Sequence, residues 1–159
     1  MGIIEEKIIK EGFILPQLPT VAGLYSPAIR TGNLVFTSGQ LPLLDGKLIE
    51  PGGRGKVSDA NMEDAVYASR IALLNGLAAI KSLTGTLASI ERIVKLTVYV
   101  ASDHLFSSQH IVANGASLLL QKLFGDQGYH VRSAIGVSEL PLGSSLEVEL
   151  IVQCKFPIL

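Results

Sequence analysis

The rhythm of apolar and polar positions changes several times along the chain, and each change predicts an element. Residues 3–10, Ile-Ile-Glu-Glu-Lys-Ile-Ile-Lys, fit a short strand or a helical turn equally well. Leu15-Pro16-Gln17-Leu18-Pro19 reads as extended, because a proline disfavours the helical region for the residue before it. Two β-prone runs, Leu24–Ile29 and Leu34–Gln40, flank Gly32-Asn33, which is a tight-hairpin signal. Residues 41–60 hold Pro42, Gly46, Pro51, Gly52, Gly53 and Gly55. They read as a long surface loop with a short strand at Leu48-Ile49; loops of this length are often functional or mobile.

From Asn61 the period becomes helical. Asn61 is placed as an N-cap, with Glu63 and Asp64 in the first turn, where the helix dipole favours acids. Val66, Leu73, Leu77 and Ile80 fall on one stripe, and Gly85 is the C-terminal stop. Ile90–Val100 reads as a long strand. Ser102 or Asp103 then caps a second helix that runs to Phe124 and ends at Gly125. Gly115 inside that helix costs about 1 kcal/mol relative to alanine, which points to a close contact or a bend. Val131–Ser138 and Ser144–Val152 are the last two strand-like runs, joined by a Pro141/Gly143 turn and read as a closing hairpin.

Strands and helices therefore alternate, with hairpins at both ends and no linker or repeat. The economical answer is an α+β fold: one domain over residues 1–159, a single mixed sheet, and two helices packed on one face.

Composition narrows the function. Charged residues are only 17% of the 159 and hydrophobic ones 48%, a poor coat for a lone monomer that suggests surface shared between subunits. The net charge of −1, the pI near 6.3 and the absence of any Lys/Arg block remove the footprint of a nucleic-acid binder. No apolar run approaches the roughly 18 residues of a membrane span, so the mean hydropathy of +0.42 reflects the interior. Cys154 is the single cysteine, which excludes an internal disulfide and fits a reducing, cytoplasmic setting. No histidine spacing suggests a metal, so His104, His110 and His130 read as surface or interface residues.

The chemistry concentrates in the last third. Arg132 stands alone in a small, apolar strand, and Glu147 and Glu149 lie in phase on the next. An arginine fork grips a carboxylate through two parallel hydrogen bonds. A glutamate can hold or deprotonate a water. Arg132 and Glu147 therefore suggest a site for a small carboxylated molecule with a water beside it; an internal ion pair of Arg132 with Glu147 or Glu149 is the alternative.

Four segments in order resemble the reactive intermediate deaminase (RidA/YjgF) family. They are Gly23-Leu24-Tyr25-Ser26, Leu34-Val35-Phe36-Thr37-Ser38-Gly39-Gln40-Leu41-Pro42, Val94–Val100, and Arg132-Ser133 with Leu140-Pro141 and Glu147-Val148-Glu149. The resemblance implies a chorismate mutase-like α+β fold, a homotrimer with a cleft at each subunit interface, and hydrolysis of enamine or imine acids such as 2-aminoacrylate without metal or cofactor. Carried over by motif, Arg132 binds the substrate carboxylate, Glu147 handles the water, and Tyr25 joins them. Ser38, Gly39 and Asn114 line the cleft. Ser38 lies in no nucleophile elbow, so it counts as a pocket donor. The chain departs from the family pattern at Leu24, His130 and Ala134, where proline, proline and cysteine are usual, and in its Asn61–Asp64 helix opening. These departures motivate a second expectation, a non-catalytic trimer that binds small carboxylated metabolites. An endoribonuclease, also ascribed to relatives, conflicts with the charge balance.

Overall fold

Strand β7 (Leu146–Cys154) shows most directly how the pattern makes the fold. Its residues alternate strictly between buried and partly exposed: Leu146, Val148, Leu150, Val152 and Cys154 face inward, and Glu147, Glu149, Ile151 and Gln153 face the other way. This is the period of a strand with one face on a core. The structure, a computed structural model, describes residues 1–18 and 23–156. Pro19 of the extended segment lies outside them.

The other elements are α1 (Ile3–Lys10), β1 (Ala28–Thr31), β2 (Leu34–Thr37), β3 (Leu43–Leu44), β4 (Lys47–Leu48), α2 (Met62–Thr84), β5 (Ile90–Ala101), α3 (Gln109–Phe124) and β6 (Val131–Val137). The main sheet has the order β1-β2-β7-β5-β6, and β3-β4 forms a separate small ribbon. Only β5 and β6 run parallel; the other pairs are antiparallel. The expected mixed sheet is present.

The expected closing hairpin is not. Strands β6 and β7 do not pair; β5 lies between them, with Leu96 opposite Arg132 on one side and Leu150 on the other. The Pro141–Gly143 turn therefore carries the chain across the end of β5. There Ala101 N–H donates to the Ser145 carbonyl and Ser102 N–H to that of Val137.

Helix α2 is buried on all sides from Ile71 to Ile80, since it lies between the sheet, α3 and the segment after β2. Gly85 ends it in the left-handed conformation, as expected. Asn61 does not cap it: its Oδ1 accepts from Ser58 N–H and its Nδ2 donates to the Lys56 carbonyl, so it shapes the preceding turn instead. Helix α3 begins at Gln109, later than expected, because Asp103 spends its carboxylate on His104 N–H and the chain turns at Phe106. Gly115 is where α2 and α3 touch: a β-carbon there would strike the Val66 carbonyl and the Ser69 hydroxyl. Residues 3–10 resolve as a helix, a third one, with Ile4 and Ile8 in the core.

The 41–60 loop is braced rather than loose. Gly55 N–H donates to the Gly143 carbonyl, Val57 N–H to that of Ala101, and Ser145 to Gly53 and Gly52 carbonyls through its N–H and hydroxyl. The short strand there is Lys47–Leu48 rather than Leu48-Ile49, paired with Leu43–Leu44.

Candidate functional site

Sheet pleat decides which side chains can meet. Arg132 and Leu96 are register partners, and Leu96 is fully buried beneath the helices, so Arg132 lies on the helix face at the sheet's outer edge. Glu147 pairs with Tyr99 on the opposite, helix-free face. The two residues are separated by β5, about 10 Å across the strands and about 10 Å along them, and by the thickness of the sheet. One small molecule cannot touch both within one chain.

Arg132 is held by α3. Its Nη1 donates to Asn114 Oδ1 at 2.8 Å and to Ser117 Oγ at 3.1 Å, and its Nη2 donates to the His110 carbonyl at 3.3 Å. Among the described residues it makes no ion pair, so the alternative of a link to Glu147 or Glu149 does not hold. The guanidinium opens into a pocket of about 300 Å³ with Asn114, Ser117, Leu118, Gln121, Tyr129 and His130. Arg132 and Asn114, expected in one cleft, are thus brought together.

Ser117 and His130 belong to this pocket, and the sequence reading missed both. His130 is two residues before Arg132 on one strand face, and Ser117 three after Asn114 on one helix face, which is the signal that could have found them. The Ser117 hydroxyl lies 2.9 Å from His130 Nε2, and His130 Nδ1 lies 2.7 Å from the Gly128 carbonyl. That carbonyl can only accept, so Nδ1 carries the proton. Burial pushes the imidazole below its usual value and the Arg132 charge adds to this, against the opposing bond to Gly128. At neutral pH the chain of donors therefore runs from Arg132 to Ser117 to a neutral His130, and from His130 to Gly128.

The second cluster gathers around Glu147. Gln40 exchanges backbone hydrogen bonds with Val148, which extends β2 alongside β7. Gly39 is thereby set against Glu147: a β-carbon on Gly39 would lie 2.6 Å from the Glu147 carboxyl carbon. Any side chain at Gly39 would make this carboxylate swing aside. Burial raises the Glu147 carboxyl above its ordinary value, and the nearby Glu149 raises it further. Glu149 itself accepts from the Tyr99 hydroxyl at 2.9 Å. Ser38 donates its hydroxyl to the Ser26 carbonyl at 2.6 Å, so its side chain tethers the segment that carries Tyr25. Tyr25 is 58% exposed and stands free of both clusters.

Fold and geometry together define a class: a small α+β protein that keeps an arginine held by neutral partners at one sheet edge and a carboxylate of raised pKa on the opposite face. A family profile described as "YjgF/chorismate mutase-like, putative endoribonuclease" matches residues 5–154, and the chain belongs to this YjgF family. It is similar to Protein TCP17 of Trypanosoma cruzi, with 33% identity over 96% of this chain and 94% of that one. The RutC family protein y4sK of Sinorhizobium fredii is 33% identical over 84% and 90% of the two chains. Among solved structures, the protein Atu1372 of unknown function from Agrobacterium tumefaciens superposes with a TM-score of 0.86 at 38% identity, covering 96% of this chain and 93% of that one.

Proposed function

We propose that the protein hydrolyses a small enamine or imine acid, such as 2-aminoacrylate, in a cleft built by two protomers of a homotrimer. The observation that carries this is Arg132: a positioned guanidinium with no carboxylate partner among the described residues, opening into a pocket. It would clamp the substrate carboxylate and fix the reacting carbon. The Glu147 carboxylate comes from the neighbouring protomer in this reading, since its own chain holds it on the wrong face. An enamine such as 2-aminoacrylate first tautomerises to the imine, its methylene carbon gaining the proton that the nitrogen loses. Glu147 then takes a proton from water as the oxygen adds to the imine carbon and gives it to the nitrogen. The hydroxyl proton of the resulting carbinolamine passes to the nitrogen as the C–N bond breaks, releasing ammonia and a 2-keto acid. A carboxyl above its ordinary value suits such a shuttle near neutral pH. Ser38 and Gly39 line the glutamate side of the cleft, and Tyr25, exposed within its own chain, completes the wall in the assembly under this reading.

The open sheet face supports the assembly. It presents Ile29, Val131 and Ile135, all exposed, beside the partly exposed Phe36 and Ile151. Such a patch marks an interface. The lone, buried Cys154 suits a cytoplasmic setting.

One observation favours a second reading, a trimer that binds a carboxylated metabolite without turnover: among the described residues the Arg132 pocket contains no carboxylate of its own. Keto-acid formation from freshly generated 2-aminoacrylate separates the two. Wild type is expected to accelerate it and Arg132→Ala to lose the effect. Melting shifts with keto acids and no acceleration over buffer would establish the binding reading instead.

A further inference from the structure

The Arg132 pocket contains a relay that carboxylate capture alone does not need. Arg132 could have been held by Asn114 only. Instead the Ser117 hydroxyl accepts from Arg132 and reaches a partly buried histidine whose other nitrogen is tied to the main chain. We propose that His130, acting through Ser117, is a positioning residue that couples anion capture by Arg132 to the uptake of one proton.

The argument follows from donor counting. With His130 neutral, Nδ1–H donates to Gly128 and Nε2 is an acceptor, so the Ser117 proton is directed at His130 and away from the pocket. When His130 gains a proton from solvent, Nε2–H becomes a donor to Ser117 Oγ. The hydroxyl now accepts from both Arg132 and His130, one lone pair each, and its own proton turns toward the pocket. A carboxylate at Arg132 then meets a further donor and a second positive charge. By linkage, a bound carboxylate favours protonated His130 to the same degree that protonation favours the carboxylate.

The groups facing His130 leave it as the titrating member. Along its own segment the nearest charge is the Arg132 guanidinium. Helix α3 presents Asn114, Ser117 and Gln121, none of which titrates. The exposed Tyr129 precedes it, and Asp126 lies exposed in the turn before that. Burial and Arg132 both hold the free imidazole low, so a bound anion has room to raise it.

This inference rests on the carboxylate reading of Arg132, and two measurements keep the failures apart. In ligand-free protein, side-chain nitrogen NMR from about pH 8 to about pH 4.5 is expected to show His130 as the Nδ1–H tautomer and to give the Arg132 Nε–H signal the same midpoint as His130. In Ser117→Ala, His130 still titrates and the Arg132 signal no longer follows. Independent midpoints in wild type overturn the proposal whether or not any ligand binds. Pyruvate, ionised throughout that range, is then titrated near both ends. It is expected to bind wild type about fivefold or more tighter at the acid end, while His130→Gln, whose amide neither gains nor loses a proton, binds with no pH dependence. The same pH profile in wild type and His130→Gln also overturns it. Pyruvate binding at no pH removes the carboxylate reading itself, and the NMR result then decides the His130–Ser117–Arg132 coupling alone.

Discussion

Gly39 and Glu147 occupy space that a single additional carbon would make incompatible: a β-carbon on the first falls on the carboxyl group of the second. The main chain just after β2 and the Glu147 side chain on β7 are thereby fitted to each other before any substrate arrives. Gly39→Ala is expected to rotate Glu147 away and abolish turnover with little loss of stability, because the atoms it displaces are the far end of a flexible side chain. Urea unfolding and the 2-aminoacrylate assay check the two halves separately. A fully active alanine variant would show that Glu147 need not stay where it is.

The pH dependence of stability tests the surroundings of Glu147. Burial and Glu149 lift its carboxyl above 4.5 in the folded chain. A group raised on folding contributes stability that is complete below its unfolded value and lost as pH climbs through the folded one. Glu147→Gln is therefore expected to be more stable than wild type at neutral pH, with the gap closing below pH 4.5. Thermal melts across pH, scored for the convergence of the two curves at low pH, give the answer.

Gly115 offers a test in which two effects of opposite sign compete. Helix propensity favours alanine over glycine by about 1 kcal/mol. Contact with Val66 and Ser69 opposes it, because the clashing atom of Val66 is main chain and cannot swing aside. Packing is expected to win, leaving Gly115→Ala less stable by about 1 kcal/mol or more. A stabilised variant would mean that α2 and α3 separate readily.

Ile151 lies on the helix-free face opposite Phe36 and Lys95. Aspartate there places a charge in the surface assigned to the trimer. Light scattering after gel filtration is expected to show monomer for Ile151→Asp and trimer for wild type. Equal masses would move the interface elsewhere.

Much of the architecture was legible because it rests on short-range rules. The alternation of β7, the long β5, the stop at Gly85 and the close contact at Gly115 each need only local pattern or the logic of a missing side chain. The shared face of Glu147 and Glu149 follows from strand period alone. Strand partners were a different matter. Pro141–Gly143 has the chemistry of a hairpin turn, yet its flanking strands are kept apart by β5, and no local signal records a neighbour some 45 residues upstream. The helix caps failed for a related reason: Asn61 and Asp103 have capping side chains, but each found a nearer backbone partner in its own turn. His130 went unrecognised because its meaning depends on Ser117, a residue of another element.

The strand inserted between β6 and β7 has a consequence for genetics. If each cleft takes its guanidinium from one chain and its carboxylate from the next, two dead proteins can rescue each other. Unfolding and refolding an equal mixture of Arg132→Ala and Glu147→Gln would let roughly a quarter of the clefts draw both intact groups from different parents, and activity would return from a blend of inactive parts.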